Sequence, residues 1–236
     1  MRTCMLPGRL VFIGILSIFL VSCSLLPVIK PGAPAAPDAL QRCRQPFLDR
    51  PYRFVHAIEA ALSGGGLGTV IGVTVFDPAS ETIHSAIMTI EGFVLFNARY
   101  EKEVHVHRAV PPFDGEHFAA NMMGDIRLMF LAPHERFSKA GRLEDGSTIC
   151  RYEGEDRIVD VVVHQDDTWE IGTYANRQER LRKIRALAIR DRIPETLELT
   201  GFGFREYTLR LKLISAEPVP PEAVRLSPGE SPDNED

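Results

Sequence analysis

The chain has 236 residues, 44% of them hydrophobic, with 27 Lys and Arg against 32 Asp and Glu. A net charge of −5 excludes the basic footprint of a nucleic-acid-binding domain. The length suits one domain with a sizeable core.

Arg2 and Arg9 precede an apolar run over residues 10–21, which closes on Leu20-Val21-Ser22-Cys23. A basic start, a short apolar centre and small residues before a cleavage point make a secretory signal peptide over residues 1–22. The run is too short to span a bilayer. Its end resembles the lipobox of bacterial lipoproteins. That resemblance implies a diacylglycerol thioether on Cys23, cleavage before it, and acylation of the new amine. The alternative is an ordinary signal peptide that contains a cysteine. Each buried methylene contributes about 0.8 kcal/mol, so several acyl chains on one residue hold a protein to a membrane stably. Ser24, where an aspartate would favour the inner membrane, implies the outer membrane, with the periplasmic face the usual one. Cleavage leaves 25 basic and 32 acidic residues, and residues 217–236 hold six of those acids against Arg225 alone.

Of the four cysteines, Cys4 leaves with the signal and Cys23 takes the lipid. Cys43 and Cys150 remain as a disulfide candidate in an oxidising compartment. The alternative is two separate thiols. Residues 23–38, with Pro27, Pro31, Pro34 and Pro37, read as an extended tether between lipid and domain. Leu40, Cys43 and Phe47 have helical spacing over 39–50, with Asp38 as cap and Pro46 as an interruption. From Tyr52 the pattern turns to strands. Phe54, His56 and Ile58 alternate with Val55 and Ala57, and Gly64-Gly65-Gly66 makes a turn. Segments 69–76, 83–90, 93–100 and 103–108 complete a five-stranded antiparallel meander.

Pro111-Pro112 stops the sheet. A helix capped by Asp114 is expected to run to about Phe130. Phe118, Met122, Ile126, Met129 and Phe130 fall on one of its faces. Residues 133–141 read as loop or short helix. Strands resume at 148–152 and 158–163, the latter apolar throughout and so covered on both faces. The arginine-rich stretch 176–190 places Leu181, Ile184 and Ala188 at helical spacing. Leu197 and Leu199 begin one last strand. Tyr207, Leu209, Leu211 and Leu213 mark another, one-sided strand. The acidic, Pro-rich tail 217–236 reads as disordered. The expected fold is mainly β (α+β). Residues 39–216 form a curved antiparallel sheet or half-open β-barrel, with a helix across its apolar face. Phe118, Met122, Ile126, Met129 and Phe130 are the candidate lining of a lipid cavity between helix and sheet.

Three stretches carry a wider resemblance. They are Ile87-Met88-Thr89-Ile90-Glu91-Gly92-Phe93-Val94-Leu95, Asp125-Ile126-Arg127-Leu128-Met129-Phe130-Leu131-Ala132-Pro133, and Ile193-Pro194-Glu195-Thr196-Leu197-Glu198-Leu199 with Tyr207-Thr208-Leu209-Arg210-Leu211. On these the chain resembles the LolA/LolB superfamily of lipoprotein carriers and acceptors. It is similar, more closely, to a lipoprotein family of that fold linked to aryl polyene biosynthesis clusters. The resemblance implies an open barrel with a helical lid and a cavity for acyl chains, without catalysis, cofactor or metal. It also implies a membrane-contact loop at Ile90, Glu91, Gly92 and Phe93. Glu91 stands where the family's acceptor carries an apolar tip, which weakens insertion. Residues 166–192 are longer than the family pattern needs.

Other chemistry has less support. Glu103, His105 and His107 share one strand face, and two imidazoles with a carboxylate can bind zinc. A solvated face is the simpler reading. No GxSxG elbow supports a Ser-His-Asp hydrolase. Residues 64–68 lack the Lys-Ser/Thr of a phosphate loop. The basic run Arg177, Arg180, Arg182, Lys183, Arg185, Arg190 and Arg192 meets anionic headgroups or lies on a solvated helix face. Three functions are thus expected in order. The first is non-enzymatic handling of lipid or another lipoprotein at the outer membrane. The second is an accessory lipoprotein that binds a protein partner without a cavity. The third is a periplasmic metal-dependent enzyme using His105 and His107.

Overall fold

Strand pairing runs inward along the chain from both ends. The computed structural model describes residues 25–30, 38–62, 65–177, 179–203 and 206–225. The signal peptide, Cys23 and residues 226–236 lie outside the described residues. The first half forms β1 (Tyr52–Leu62), β2 (Gly65–Asp77), β3 (Thr82–Met88), β4 (Val94–Tyr100) and β5 (Val104–Ala109). The second forms β6 (Arg136–Arg142), β7 (Thr148–Glu153), β8 (Ile158–Val163), β9 (Trp169–Asn176), β10 (Glu179–Arg190), β11 (Ile193–Gly201) and β12 (Tyr207–Pro218). All twelve strands share one antiparallel sheet, in the order β5-β4-β3-β2-β1-β12-β11-β10-β9-β8-β7-β6. Sequential strands pair within each half, β5 and β6 do not, and the halves join at a seam where β1 meets β12 from Tyr52↔Pro218 to Leu62↔Tyr207. A twisted sheet this wide curls. It stays unclosed, with β5 and β6 as its edges.

Helix α1 (Ala39–Arg44) and helix α2 (Phe118–Phe130) pack on the concave face. α2 is the link between the two edges, so the chain crosses the open side of the barrel through it. Phe130 stacks on Phe54 at 5.1 Å and Phe76 at 5.2 Å, ring centre to ring centre. Met123, Ile126 and Met129 are buried beside it. Burying each such side chain stabilises by about 1.5–3 kcal/mol. Cys43 of α1 is bonded to Cys150 of β7, with the Cα atoms 6.2 Å apart.

Several segments differ from their sequence patterns. Residues 136–142 are strand β6, not loop. Residues 179–190 are strand β10, not helix. Leu181, Ile184 and Ala188 do match helical spacing, but Ile184 and Ala186 also match a spacing of two, and both are buried. Pairing with β9 and β11 on either side decides between the two patterns. The basic run therefore lies mostly on a strand and is split between its two sides. On its outer side Lys183 pairs with Glu170 at 2.9 Å, and Arg185 with Glu198. Of the two expected caps, Asp38 does stand at the N-cap of α1, where its carbonyl accepts from the Arg42 N–H at 2.8 Å. α2 begins after His117 rather than Asp114, and Asp38 makes no side-chain cap bond. The tail is ordered further than its composition suggests. β12 reaches Pro218 and helix α3 (Pro221–Arg225) buries Val224 against β2 and β3. One apolar side chain in an acidic, Pro-rich stretch is enough to seat a short helix.

The tether also departs from expectation. Its residues 25–30 lie on the convex face. The Leu25 N–H donates to the Arg177 carbonyl at 2.7 Å, and the Lys30 N–H to the Arg142 carbonyl at 3.0 Å. Arg151 Nη2 donates to the Pro27 carbonyl at 3.0 Å. Leu26 and Ile29 are buried, and Ile29 packs with Ile149 and Val162 in a second small core. Gly141 makes room for it, since a Cβ there would stand 2.4 Å from Ile29 Cγ2. Residues 158–163 are thus covered on both faces, as their composition requires.

Candidate ligand site

The concave face of β1, β2, β8 and β11 presents Phe54, Phe76, Val159, Val161, Leu197 and Leu199, all buried. α2 lies on this surface and sends one charged side chain into it. Asp125 follows Met122 by three residues, on the buried side of the helix. Its Oδ1 accepts from Arg182 Nε at 2.7 Å, and its Oδ2 from the Tyr207 hydroxyl at 2.6 Å. Arg182 comes from β10 and Tyr207 from β12, so three elements meet at one carboxylate. Burial pushes the Asp125 carboxyl up, against the pull of Arg182 and Tyr207. Burial and the Asp125 charge together push the Tyr207 hydroxyl up. Both oxygens of a buried carboxylate are satisfied, as a charge at this depth requires. The triad latches the helix to the sheet.

The five stripe residues are spread along α2. Phe118 is half-buried, edge-on to Phe96 at 5.2 Å and to Phe113 at 5.3 Å. Met122 is half-buried, while Ile126, Met129 and Phe130 are buried in the core. Beside the helix is a cleft of about 90 Å³, lined by Phe47, Leu128, Leu131, Val159 and Ile171, with Arg127, His134, Glu135 and Arg157 among its polar residues. That volume is well below the roughly 300 Å³ or more of pockets that hold small-molecule ligands. None of the five stripe residues lines it.

The architecture is an antiparallel sheet whose first and last strands pair, curled into an unclosed barrel, with α1 and α2 on its concave face. No family model matches the chain, and no curated protein does. Solved structures do match. A LolA superfamily protein from Nitrosomonas europaea superposes with a TM-score of 0.59 at 12% identity, covering 82% of this chain and 98% of that one. The fold is LolA-like. A domain named for outer membrane lipoprotein sorting, from Vibrio parahaemolyticus, superposes with a TM-score of 0.50 at 9% identity, covering 79% and 94%.

On this LolA-like frame the β3–β4 turn holds Ile90 and Phe93 outward, 69% and 57% exposed. Thr89 ties the turn. Its N–H donates to the Phe93 carbonyl at 2.9 Å, and its hydroxyl accepts from the Phe93 N–H at 3.2 Å. Gly92 supplies the positive φ of +90° that the turn needs. Glu91 accepts from its own backbone N–H and from Thr89, which hold its carboxyl below the usual range. The tip is therefore charged between two apolar side chains. His105 and His107 are exposed on edge strand β5, and no three metal-ligating side chains cluster among the described residues. Sequence reading missed the Asp125 triad. The available signal was a lone carboxylate on an apolar helical face.

Proposed function

We propose that this protein is a lipid-anchored, non-enzymatic handler of acyl or polyene chains, or of another lipoprotein's acyl chains, on the periplasmic side of the outer membrane. The observation that carries this is an unclosed sheet with an apolar concave face, whose open side is crossed by α2 on a polar latch. Cys23 supplies the anchor and the concave face supplies the site. The chain enters as α2 lifts, because the closed cleft of about 90 Å³ is too small for it. Lining residues are then Met122, Ile126, Met129 and Phe130 on the helix, facing Phe54, Phe76 and Leu199 on the sheet.

A second reading has one observation in its favour. The small cleft also suits an accessory lipoprotein with a plain core. Mass spectrometry of small molecules extracted from the purified protein tests the first reading directly. Co-purifying lipid or polyene, lost when α2 is tied down by an engineered cross-link to the sheet, supports the handler. Protein free of lipid that also fails to bind a fluorescent fatty acid leaves the accessory reading. Cys23→Ser tests the anchor separately, because it must release the protein from membranes without detergent.

A further inference from the structure

We infer that residues 25–30 act as a strap that fixes how the domain sits on a bilayer, with the β3–β4 turn and the β9–β10 junction held against the lipid surface. This rests on the reading of Cys23 as the lipid-bearing residue, and adds an orientation to it.

The first observation is distance along the chain. Leu25 is bonded to the carbonyl of Arg177, between β9 and β10. Cys23 precedes it by two residues, so the lipid attaches within about 7 Å of that junction. A free tether over residues 23–38 would reach roughly 50 Å and let the domain tumble. The Arg151 bond to Pro27, the buried Leu26 and Ile29, and the Lys30 bond to Arg142 remove that freedom.

The second observation is which end of the sheet this is. Antiparallel pairing places the end of β9, the end of β11, the end of β3 and the start of β4 at the same end. The strap therefore delivers the lipid to the end that carries Ile90 and Phe93. Leu25 adds a third exposed apolar side chain there, 49% exposed. Arg108 lies over the Phe93 ring at 5.0 Å. The opposite end carries the β2–β3, β6–β7 and β10–β11 turns. At this end exposed Glu91, Glu155 and Asp156 stand among exposed Arg108, Arg136, Arg157 and Arg177, so the surface carries no strong net charge and suits a zwitterionic bilayer.

The test uses the chain from Cys23 onward, with Cys43–Cys150 oxidised and Cys23 coupled through its thiol to a maleimide phospholipid. Cellular acylation and acyl-chain binding then have no bearing on the outcome. Hydrogen exchange is compared with and without phosphatidylcholine vesicles. Exchange over residues 89–93 should slow at least tenfold on the vesicle, while residues 143–147 at the other end should be unchanged. Ten Gly and Ser residues inserted between Ser24 and Leu25 leave the strap bound but free the lipid, and should bring residues 89–93 back to within twofold of the vesicle-free rate. Equal rates at the two ends on the vesicle overturn the proposal. So does an insertion variant that keeps its protection, since the end would then dock without the strap.

Discussion

Asp125→Ala tests whether the polar latch holds α2. The substitution removes both acceptors, leaving Arg182 charged and the Tyr207 hydroxyl without its partner. Hydrogen bonds to a charged group contribute about 1.5–3 kcal/mol each, and breaking a buried pair costs about 3–5 kcal/mol. The Arg182 side chain is 20% exposed, so water reaches it and the lower figure applies. The expected loss is about 3 kcal/mol, or roughly 6–12 °C in melting temperature at this size. Asp125→Asn keeps the shape and one acceptor and should lose less. Melting is read by circular dichroism, and hydrogen exchange over residues 118–130 by mass spectrometry. A double-mutant cycle with Tyr207→Phe should give a coupling energy well above the additive error of about 0.5 kcal/mol. Melting within 1 °C of wild type, with unchanged exchange in α2, would refute the latch. Fatty-acid binding that rises as α2 loosens would tie the latch to the ligand.

Three further outcomes follow from the core. His56 is buried against Phe54 and Phe130, and burial pushes it down to about 4. Its unfolded value is about 6.5, so its neutral form supports the fold above that pH, and this support fades as pH falls from about 6.5 towards 4. The full loss is roughly 3 kcal/mol. Asp125 and Asp160, both raised by burial, act in the opposite sense. The measurement is therefore the difference in the pH slope of urea stability between wild type and His56→Leu, and equal slopes would sink the assignment. Reduction of Cys43–Cys150, which are 107 residues apart, should cost about 4–5 kcal/mol in the chain-entropy view, read as a lower urea midpoint in reductant. Met129→Glu buries a carboxylate and should unfold the domain or cost several kcal/mol, whereas half-buried Met122→Glu should melt within a few degrees of wild type. Equal melting of the two would mean that α2 does not bury its C-terminal half.

Legibility followed locality. The strands from β2 to β5 stood out because short turns and alternation are both local signals. The α2 stripe was equally plain, and Met123 was the buried residue it omitted. β10 was obscured by composition. Straight-chain arginines favour helix in isolation, and neighbours on both sides outweigh that preference. The docked segment 25–30 was invisible for a different reason. Its partners Ile149 and Val162 lie more than a hundred residues away, on the face opposite the main core. Proline content says that a segment is extended, but not whether something receives it. Asp125 could have been flagged, yet nothing in sequence spacing names Arg182 and Tyr207 as its partners.

The seam between β1 and β12 bears on how the chain reaches this fold. Hairpins within each half need only short loops to close, while the seam joins residues about as far apart as the domain allows. Long-range closure of this kind is slow, because its entropy is lost before its contacts form. β12 is also the last strand to leave the ribosome. Until it arrives, β1 is an eleven-residue open edge carrying Phe54, His56 and Ile58. A chain cut short before Tyr207 keeps every other strand and still exposes that edge, which makes aggregation, rather than partial activity, the expected fate of C-terminal truncations.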